Sequence, residues 1–375
     1  MNVLMNVLIR CDSSDIIGTG HVMRCLNLCE YYPTWNFTFV CRNFKLNITD
    51  KIMFAKHKLI LLDYNVEPEL NNYDTWIGVT YDDEQNDIIG ILNTEKYDII
   101  IFDHYGIDHI LEYKVRKYCK KVIVITELFN KQHYCDVFIN YNTDNLDNVK
   151  QINLCNDTHY KIGAENILIN KRFLNSSKTI YNKTIKTITI NMGGADPQNY
   201  ILKVLNNIKQ YILQEKIIVN IIIGYSNKNY NAIINFIKDA NANANANANA
   251  NANANANANA NANANANANA NSNLFIIHFD IDFDKLIAIY LDSDLAIGSL
   301  SITAYERLFL KIPQICIKIA ENQLIQELDV FNIINISCLM EKLNDYQNIL
   351  NNQIQYSTKF INQNRFIVYF NDIII

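Results

Sequence analysis

Short apolar runs alternate with segments of helical periodicity along most of this chain. Runs rich in β-branched and aromatic residues predict buried strands, and apolar residues at i, i+3, i+4 and i+7 predict amphipathic helices. Parallel strands need a crossover between them, usually a helix, so the alternation indicates an α/β fold with parallel sheets. The predicted strands are residues 7–9, 37–41, 59–62, 98–102, 122–125 and 137–139, then 188–191, 217–223, 275–277, 295–297 and 315–317.

A polar segment, residues 175–184, separates two series of these strands. At 375 residues and 49% hydrophobic content, the chain is longer than a single hydrophobic core usually supports. We therefore predict an N-terminal domain over residues 1–175 and a C-terminal domain over residues 176–375. Ligands of open α/β sheets bind beyond the carboxyl ends of the strands, so two such domains facing each other would share a cleft.

An uninterrupted Ala-Asn alternation occupies residues 240–271. Alanine offers little surface to bury and asparagine competes for its own backbone, so we predict a disordered loop inserted in the C-terminal domain. A helix, which alanine favours, and an aggregation-prone polar tract are the alternative conformations. Loop-closure entropy grows slowly with length, so a surface connection can tolerate such an insertion.

Composition excludes several classes of partner. The formal net charge of -5 leaves no basic footprint, so we expect no nucleic-acid partner. Nine Cys without a Cys-x-x-Cys pair indicate reduced thiols rather than disulfides or a zinc site. No apolar run approaches the ~18 residues of a membrane span, and the N-terminus lacks the pattern of a secretory signal. We expect a soluble, cytoplasmic monomer with no metal, no cofactor and no membrane partner.

The most informative local motif is IRCDSSDIIGTGHVMRCLNLC, residues 9–29, in which a glycine turn joins a strand to a helix. Gly18 and Gly20 allow positive φ and close approach of a ligand, and the free N–H groups of the helix favour an anion. A lone His21 and a Gly-x-Gly turn are often structural, but the number of polar residues around this turn favours catalysis. The predicted substrate-binding residues here are Arg10, Asp12, Ser14, Gly18, Thr19 and Gly20.

Asp103, His104 and Tyr105 close the predicted strand 98–102, at the sheet edge where the glycine turn should lie. A carboxylate, an imidazole and a phenol there can complete a sugar pocket. The alternative is that Asp103 caps a turn and His104 lies on the surface. After the last strand of the second series, Asn322 and Gln323 place two amides at the edge of the cleft.

Two turns of the second half are candidate phosphate sites. Gly193-Gly194-Ala195-Asp196-Pro197 follows a strand and leads into a helix near Asn199, although Gly-Gly before Asp-Pro is also ordinary turn chemistry. Ser301 or Thr303 can cap the next helix and meet phosphate, with Glu306 one turn further in to accept ribose hydroxyls. The candidate phosphate- and ribose-binding residues of these two turns are Gly193, Gly194, Asp196, Ser301, Thr303 and Glu306.

These motifs follow one another along the chain in the same order as in one enzyme family. They are RCDSSDIIGTGHVMRCLNL, FDHYGID, HYCDVFINYN, IGAENILI, NMGGADPQN and DLAIGSLSITAYERLFLKIPQICIKIAENQ. The chain thereby resembles the UDP-2,4-diacetamido-2,4,6-trideoxy-β-L-altropyranose hydrolases of pseudaminic acid biosynthesis and the related spore-coat polysaccharide proteins. The resemblance implies the glycosyltransferase-B architecture of two Rossmann-like domains and a reaction without a metal. It implies that His21 is the general base and that Asn199 and Glu306 bind the nucleotide sugar. It also implies that Tyr105 and Asn322 approach the sugar.

The implied reaction is attack of water on the anomeric carbon, with inversion, transfer of a proton to His21 and release of UDP. Histidine suits this role because its unperturbed pKa lies near neutrality. The chain departs from the family in having Thr126-Glu127 in place of an Asp-Asp pair, and Leu300 and Ile302 where small residues are frequent. A glycosyltransferase using a UDP-sugar donor and a non-catalytic nucleotide-sugar-binding protein are the alternatives.

Overall fold

The structure is a computed structural model that describes residues 4–242, 273–317 and 331–361. It contains two parallel sheets, one of seven strands and one of six, as the alternating pattern predicted. No helix within these ranges is long and apolar enough to cross a bilayer. Residues 243–271 of the Ala-Asn tract lie outside the described ranges, as do Asn322 and Gln323.

The first sheet has the strand order β3-β2-β1-β4-β5-β6-β7. Ile9 of β1 packs with Val22 of α1 on one face, and Leu8 packs with Ile88 of α3 on the other. Both faces are therefore covered, as parallel sheets require. Its elements are β1 (Asn6–Cys11), α1 (Gly20–Tyr31), β2 (Asn36–Arg42), α2 (Thr49–Phe54), β3 (Lys58–Leu62), α3 (Tyr81–Thr94), β4 (Ile99–Asp103), α4 (His109–Val115), β5 (Lys121–Ile125), β6 (Val137–Asn140), α5 (Leu146–Ile152) and β7 (His159–Ile162).

The second sheet has the order β10-β9-β8-β11-β12-β13. Ile190 of β8 packs with Leu205 of α6 on one face, and Ala296 of β11 packs with Leu308 of α9 on the other. The elements are β8 (Thr187–Asn191), α6 (Tyr200–Glu215), β9 (Ile218–Ile223), α7 (residues 230–242), β10 (Phe275–Phe279), α8 (Phe283–Asp292), β11 (Leu295–Ser299), α9 (Ile302–Phe309), β12 (Gln314–Ile317), β13 (Ile333–Ile334), α10 (Leu339–Asn344) and α11 (Tyr346–Ile361).

Strand order reverses between β1 and β4 in the first sheet and between β8 and β11 in the second. Ligands of such sheets bind at this reversal, because the loops leaving the two strands diverge and open a crevice. The glycine turn follows β1, and residues 103–105 follow β4. The Gly193-Gly194 turn follows β8, and the Ser301 turn follows β11. The topology thus brings four of the predicted motifs to the two crevices.

A shared apolar cluster joins the two halves of the chain. Phe173, in the short turn Lys171–Leu174, packs with Tyr305 of α9 and lies 5.7 Å from the ring of Phe283, centroid to centroid. Residues before position 175 therefore contribute to the core of the second half. The predicted boundary between residues 175 and 176 lies between the last strand of the first sheet and the first strand of the second.

A buried charged cluster anchors β1 and β2 to α3. Glu84 of α3 accepts from Arg10 Nε at 2.6 Å and also binds Arg42 Nη2. Arg10 lies 2.7 Å from Asp12 Oδ2, and the backbone N–H of Arg42 donates to Asp12 Oδ1 at 2.6 Å. Burial alone would raise the pKa of Glu84, but the two guanidinium groups hold it below its usual value. The carboxylate is therefore charged and fully paired.

We expect Glu84→Gln to lower the free energy of unfolding by about 3 kcal/mol, because it leaves buried guanidinium groups without part of their counter-charge. Urea unfolding at neutral pH measures this loss. The control is Glu95→Gln, which breaks the ion pair between Glu95 and Lys58. The Glu95 side chain is 47% exposed, so this substitution should cost at most about 1 kcal/mol. Equal losses in the two variants would contradict the assignment.

Candidate active site

A cavity of about 330 Å³ lies between the carboxyl ends of the two sheets. Both halves of the chain line it, so the shared cleft predicted from the strand pattern is present. Of the predicted residues, the cavity wall includes Gly18, Thr19, Gly20, His21 and Tyr105 from the first half and Gly193, Gly194, Asp196, Ser301, Thr303 and Glu306 from the second.

The turn that presents His21 is held by its own backbone. Gly18 takes φ of 84°. Its N–H donates to the Ser14 carbonyl, and its carbonyl accepts from the Ser14 N–H across the turn. The Ser14 hydroxyl accepts from the N–H groups of Ile16 and Ile17, at 3.1 and 2.9 Å. The prediction of positive φ is confirmed for Gly18 and wrong for Gly20, which starts α1 with ordinary helical geometry.

Among the described residues, His21 is bonded through one ring nitrogen. Its Nδ1 lies 2.6 Å from Asp103 Oδ1, and its ring meets Tyr105 edge to face at a centroid distance of 4.7 Å. A carboxylate on Nδ1 favours the tautomer with hydrogen on Nδ1, which leaves the lone pair of Nε2 available. His21 lines the cavity, and its uncommitted ring nitrogen is Nε2.

Arg24 lies one turn after His21 and connects it to the next strand end. Its guanidinium binds Asp103 through both Nε and Nη2, and its Nη2 lies 3.0 Å from His21 Nδ1. Its Nη1 binds Glu127 and donates to the Tyr141 hydroxyl at 2.6 Å. Burial raises the pKa of Tyr141 well above its ordinary value, so the phenol keeps its proton and donates to Glu127.

Five residues that the sequence assigned to substrate contact lie behind the cavity wall instead. Their side chains are buried and engaged within the protein, so we correct their role to support of the two turns. Arg10 and Asp12 belong to the Glu84 cluster. His104 Nε2 lies 3.0 Å from Asp12 Oδ2, and its Nδ1 accepts from the N–H of Gly106. The other two are Ser14, which holds the turn, and Asp103, which holds His21.

The Gly193 turn of the second half presents backbone rather than side chains. Gly193 takes φ of 85°, and its N–H donates to Asn191 Oδ1 at 2.9 Å. Asp196 caps α6 by accepting from the N–H groups of Tyr200 and Ile201, and burial raises its pKa to about 6. Asn199 does not line the cavity, and its buried Oδ1 has no hydrogen-bond partner within the described part of the chain.

The turn before α9 carries a chain of three hydroxyls. Ser301 Oγ lies 3.0 Å from both Ser299 Oγ and Thr303 Oγ1. Ser301 occupies the N-cap position, but its side chain makes no capping bond, so the predicted capping role is wrong. The Ala304 N–H donates to the Ser301 carbonyl at 2.9 Å, so the N–H groups of Ile302 and Thr303, which lack a side-chain cap, are the ones that can meet an anion in the cavity.

Glu306 lies in the second turn of α9 and lines the cavity. Burial raises the pKa of its carboxyl to about 7. Within the described residues its carboxylate makes no hydrogen bond or ion pair, which is unusual for a side chain that is only 5% exposed.

The two halves of the chain come into close contact at Gly194 and Thr19. A Cβ on Gly194 would clash with the side chain of Thr19, and a Cβ on Gly224 would clash with the backbone of Gly194. Lys51 also forms an ion pair with Asp280 at 3.0 Å across the two halves. The sequence pattern predicted a phosphate-binding role for Gly194. The structure adds that only glycine fits at this position, between Thr19 and Gly224.

Several residues of the cavity wall were not predicted. Trp76 stacks on Tyr105 at a centroid distance of 5.5 Å, and Asn142 has a buried Oδ1 with no hydrogen-bond partner in the ranges that the structure describes. Arg24 is the only Lys or Arg side chain in the described wall, and its donors are already bound. Within the described residues no group of three or more metal-ligating side chains is present. The further lining residues include Tyr73, Glu127, Tyr141 and Ser299.

Two relatives match part of the chain. The UDP-2,4-diacetamido-2,4,6-trideoxy-beta-L-altropyranose hydrolase of Campylobacter jejuni is 25% identical over 237 residues, which are 63% of this chain and 76% of the hydrolase. An uncharacterized protein of Methanocaldococcus jannaschii is 26% identical over 240 residues, or 62% of this chain. The match spans 46% of that archaeal protein, less than half its length. No protein-family model matches. The resemblance drawn from the motifs is confirmed by the first relative.

Solved structures show the same architecture. A UDP-glucose:anthocyanidin 3-O-glucosyltransferase in complex with UDP gives a TM-score of 0.56 at 9% identity, covering 100% of this chain and 99% of that one. The UDP-GlcNAc 2-epimerase of Methanocaldococcus jannaschii, with UDP-GlcNAc and UDP, gives 0.52 at 10% identity and covers 93% of each chain. The predicted glycosyltransferase-B fold of two Rossmann-like domains is therefore confirmed.

We expect Glu306→Gln to stabilise the ligand-free protein at pH 8 by about 3 kcal/mol and to have little effect at pH 5. The folded-state pKa of about 7 exceeds the ordinary 4.5, so the cost of burying the charged carboxylate is complete above pH 7 and disappears as the pH falls through that range. Urea unfolding of both proteins at the two pH values measures it. A variant less stable than wild type at pH 8 would show that the carboxylate has a partner.

Proposed function

We propose that this protein hydrolyses a UDP-linked amino or deoxy sugar of the pseudaminic acid type and releases UDP. The observation that carries the proposal is His21, bonded through Nδ1 to Asp103 and lining the cleft between the two domains. The name of the Campylobacter relative supports the same substrate class. The proposed division of labour gives residues 1–175 the sugar and the base, and residues 176–375 the UDP.

In this proposal, His21 Nε2 removes a proton from a water molecule as its oxygen attacks the anomeric carbon. The bond between that carbon and the phosphate oxygen breaks, and its electron pair leaves with UDP. Attack from the side opposite the leaving group inverts the anomeric centre. A positioned histidine typically contributes 10²- to 10⁴-fold to such a step, and the proton is later lost to solvent.

The second half of the chain offers donors for the nucleotide. The diphosphate would lie against the backbone of Gly193 and Gly194 and the free N–H groups at the start of α9, where the helix dipole favours negative charge. Glu306 would accept hydrogen bonds from the ribose hydroxyls. We propose that these donors make a metal unnecessary, so UDP release should continue in the presence of a chelator.

We expect His21→Ala to reduce UDP release about 10²- to 10⁴-fold while the affinity for UDP changes less than about threefold, because the base lies on the sugar side of the cleft. Release is measured on a panel of UDP-sugars without acceptor, and binding is measured by calorimetry. His159→Ala is the matched control, since His159 is exposed on β7 and away from the cavity.

Three results would count against the proposal. If His21→Ala folds but no longer binds UDP, the imidazole contributes to nucleotide binding rather than to catalysis. Release of UDP only after an acceptor alcohol is added would indicate a glycosyltransferase. Binding of UDP without turnover of any UDP-sugar by wild type would indicate a binding protein.

A further inference from the structure

The positively charged guanidinium of Arg24 lies close enough to His21 to oppose protonation of the imidazole. Its Nη2 lies 3.0 Å from His21 Nδ1, and both side chains are buried. A positive charge so close opposes the second positive charge that His21 acquires when it takes a proton. Unless the charge of Arg24 is balanced, the imidazole is a poor proton acceptor.

Two carboxylates balance it from opposite sides. Asp103 binds Nε and Nη2 of Arg24 and also holds His21, while Glu127 binds Nη1. Tyr141 stays neutral and bridges Arg24 and Glu127. With His21 neutral the cluster carries one cation and two anions. A proton on His21 therefore brings the buried cluster to zero net charge.

We propose that Glu127 is a positioning residue that makes His21 a competent base by neutralising Arg24. The inference rests on the proposed function. It concerns Glu127 of the Thr126-Glu127 pair, where the family that this chain resembles has Asp-Asp. Asp103 both orients and charges the imidazole, whereas Glu127 acts only through Arg24. Removing the charge of Glu127 should weaken proton uptake without releasing the ring.

The other groups to consider near His21 are two aromatic rings and two carboxyl groups of the cavity wall. Tyr105 and Trp76 present aromatic rings to the imidazole, at centroid distances of 4.7 and 6.1 Å. Asp196 and Glu306 line the cavity from the second half of the chain. Asp196 is engaged in capping α6, and Glu306 serves the nucleotide in the proposed function. Asp103, Arg24 and Glu127 are therefore the charged side chains linked to His21 by a continuous set of contacts.

The test is a proton-NMR titration of the His21 ring in ligand-free wild type and Glu127→Gln. Its signal is assigned among the seven His of the chain by its loss in His21→Ala. Glutamine keeps an oxygen that can accept from Arg24 but removes the charge. We expect the His21 titration midpoint to fall by about half a pH unit or more, a threefold loss of proton affinity.

The matched control is Glu112→Gln, which removes another buried carboxylate, one that binds His133 at 2.7 Å and makes no contact with the cluster. It should leave the His21 midpoint unchanged. Glu127→Asp keeps the charge and should return the midpoint toward that of wild type. If Glu127→Gln does not fold, Glu127→Ala carries the same expectation. An unchanged midpoint in any folded neutral variant at position 127 overturns the proposal.

Kinetics separate this inference from the proposed function. With an active UDP-sugar, the acid limb of kcat/KM in Glu127→Gln should move to lower pH with the midpoint, and its plateau should fall. Wild type that hydrolyses no UDP-sugar defeats the proposed function, while the ring titration still decides the role of Glu127. If wild type is active and the acid limb of kcat/KM does not move in Glu127→Gln, the proposed role of Glu127 is wrong and the proposed function stands.

Discussion

The contact between Asp103 and His21 is the interaction on which the account of this site depends. A buried carboxylate on Nδ1 selects one tautomer and one ring orientation, and it stabilises a proton added at Nε2. The same carboxylate also binds Arg24, which ties the first helix to the loop after β5 through Glu127. If Nδ1 instead accepted a hydrogen bond from Arg24 Nη2, and did not donate its own hydrogen to Asp103, then Nε2 would carry the ring proton and could not act as a base.

The fold makes this contact possible because β1 and β4 are neighbours at the point where the strand order reverses. Cys11 pairs with Asp103 in the sheet register, so the glycine turn and the carboxylate leave the sheet side by side. The buried Glu84 cluster then fixes the ends of β1 and β2 beneath the turn. The second sheet repeats the arrangement with β8 and β11, which supplies the opposite wall of the cleft.

Much of this was available from the sequence. Strands that are buried on both faces form long apolar runs, so β2, β4 and β5 were predicted to within a residue or so of their ends. The edge strand β7 was missed because its residues, HYKI, are half polar and partly exposed. The glycine turn and Asp103 were also recognised, since both lie next to strong strand patterns.

The sequence could not indicate which polar side chains face the cleft and which support it. Arg10, Asp12 and His104 were assigned to the substrate, but Arg10 binds Glu84, 74 residues away, and Asp12 binds His104, 92 residues away. Glu127 was noted only as a departure from a family pattern, because its contact with Arg24 joins positions 103 residues apart. Local periodicity carries no information about a pairing at that distance.

The most direct test of the central claim is the tautomer of His21, measured by nitrogen-15 NMR of the ring in the ligand-free protein above its titration midpoint. The account predicts hydrogen on Nδ1 and an unprotonated Nε2. A ring with hydrogen on Nε2 would contradict it, because the nitrogen left for the cleft could then donate a proton but not accept one.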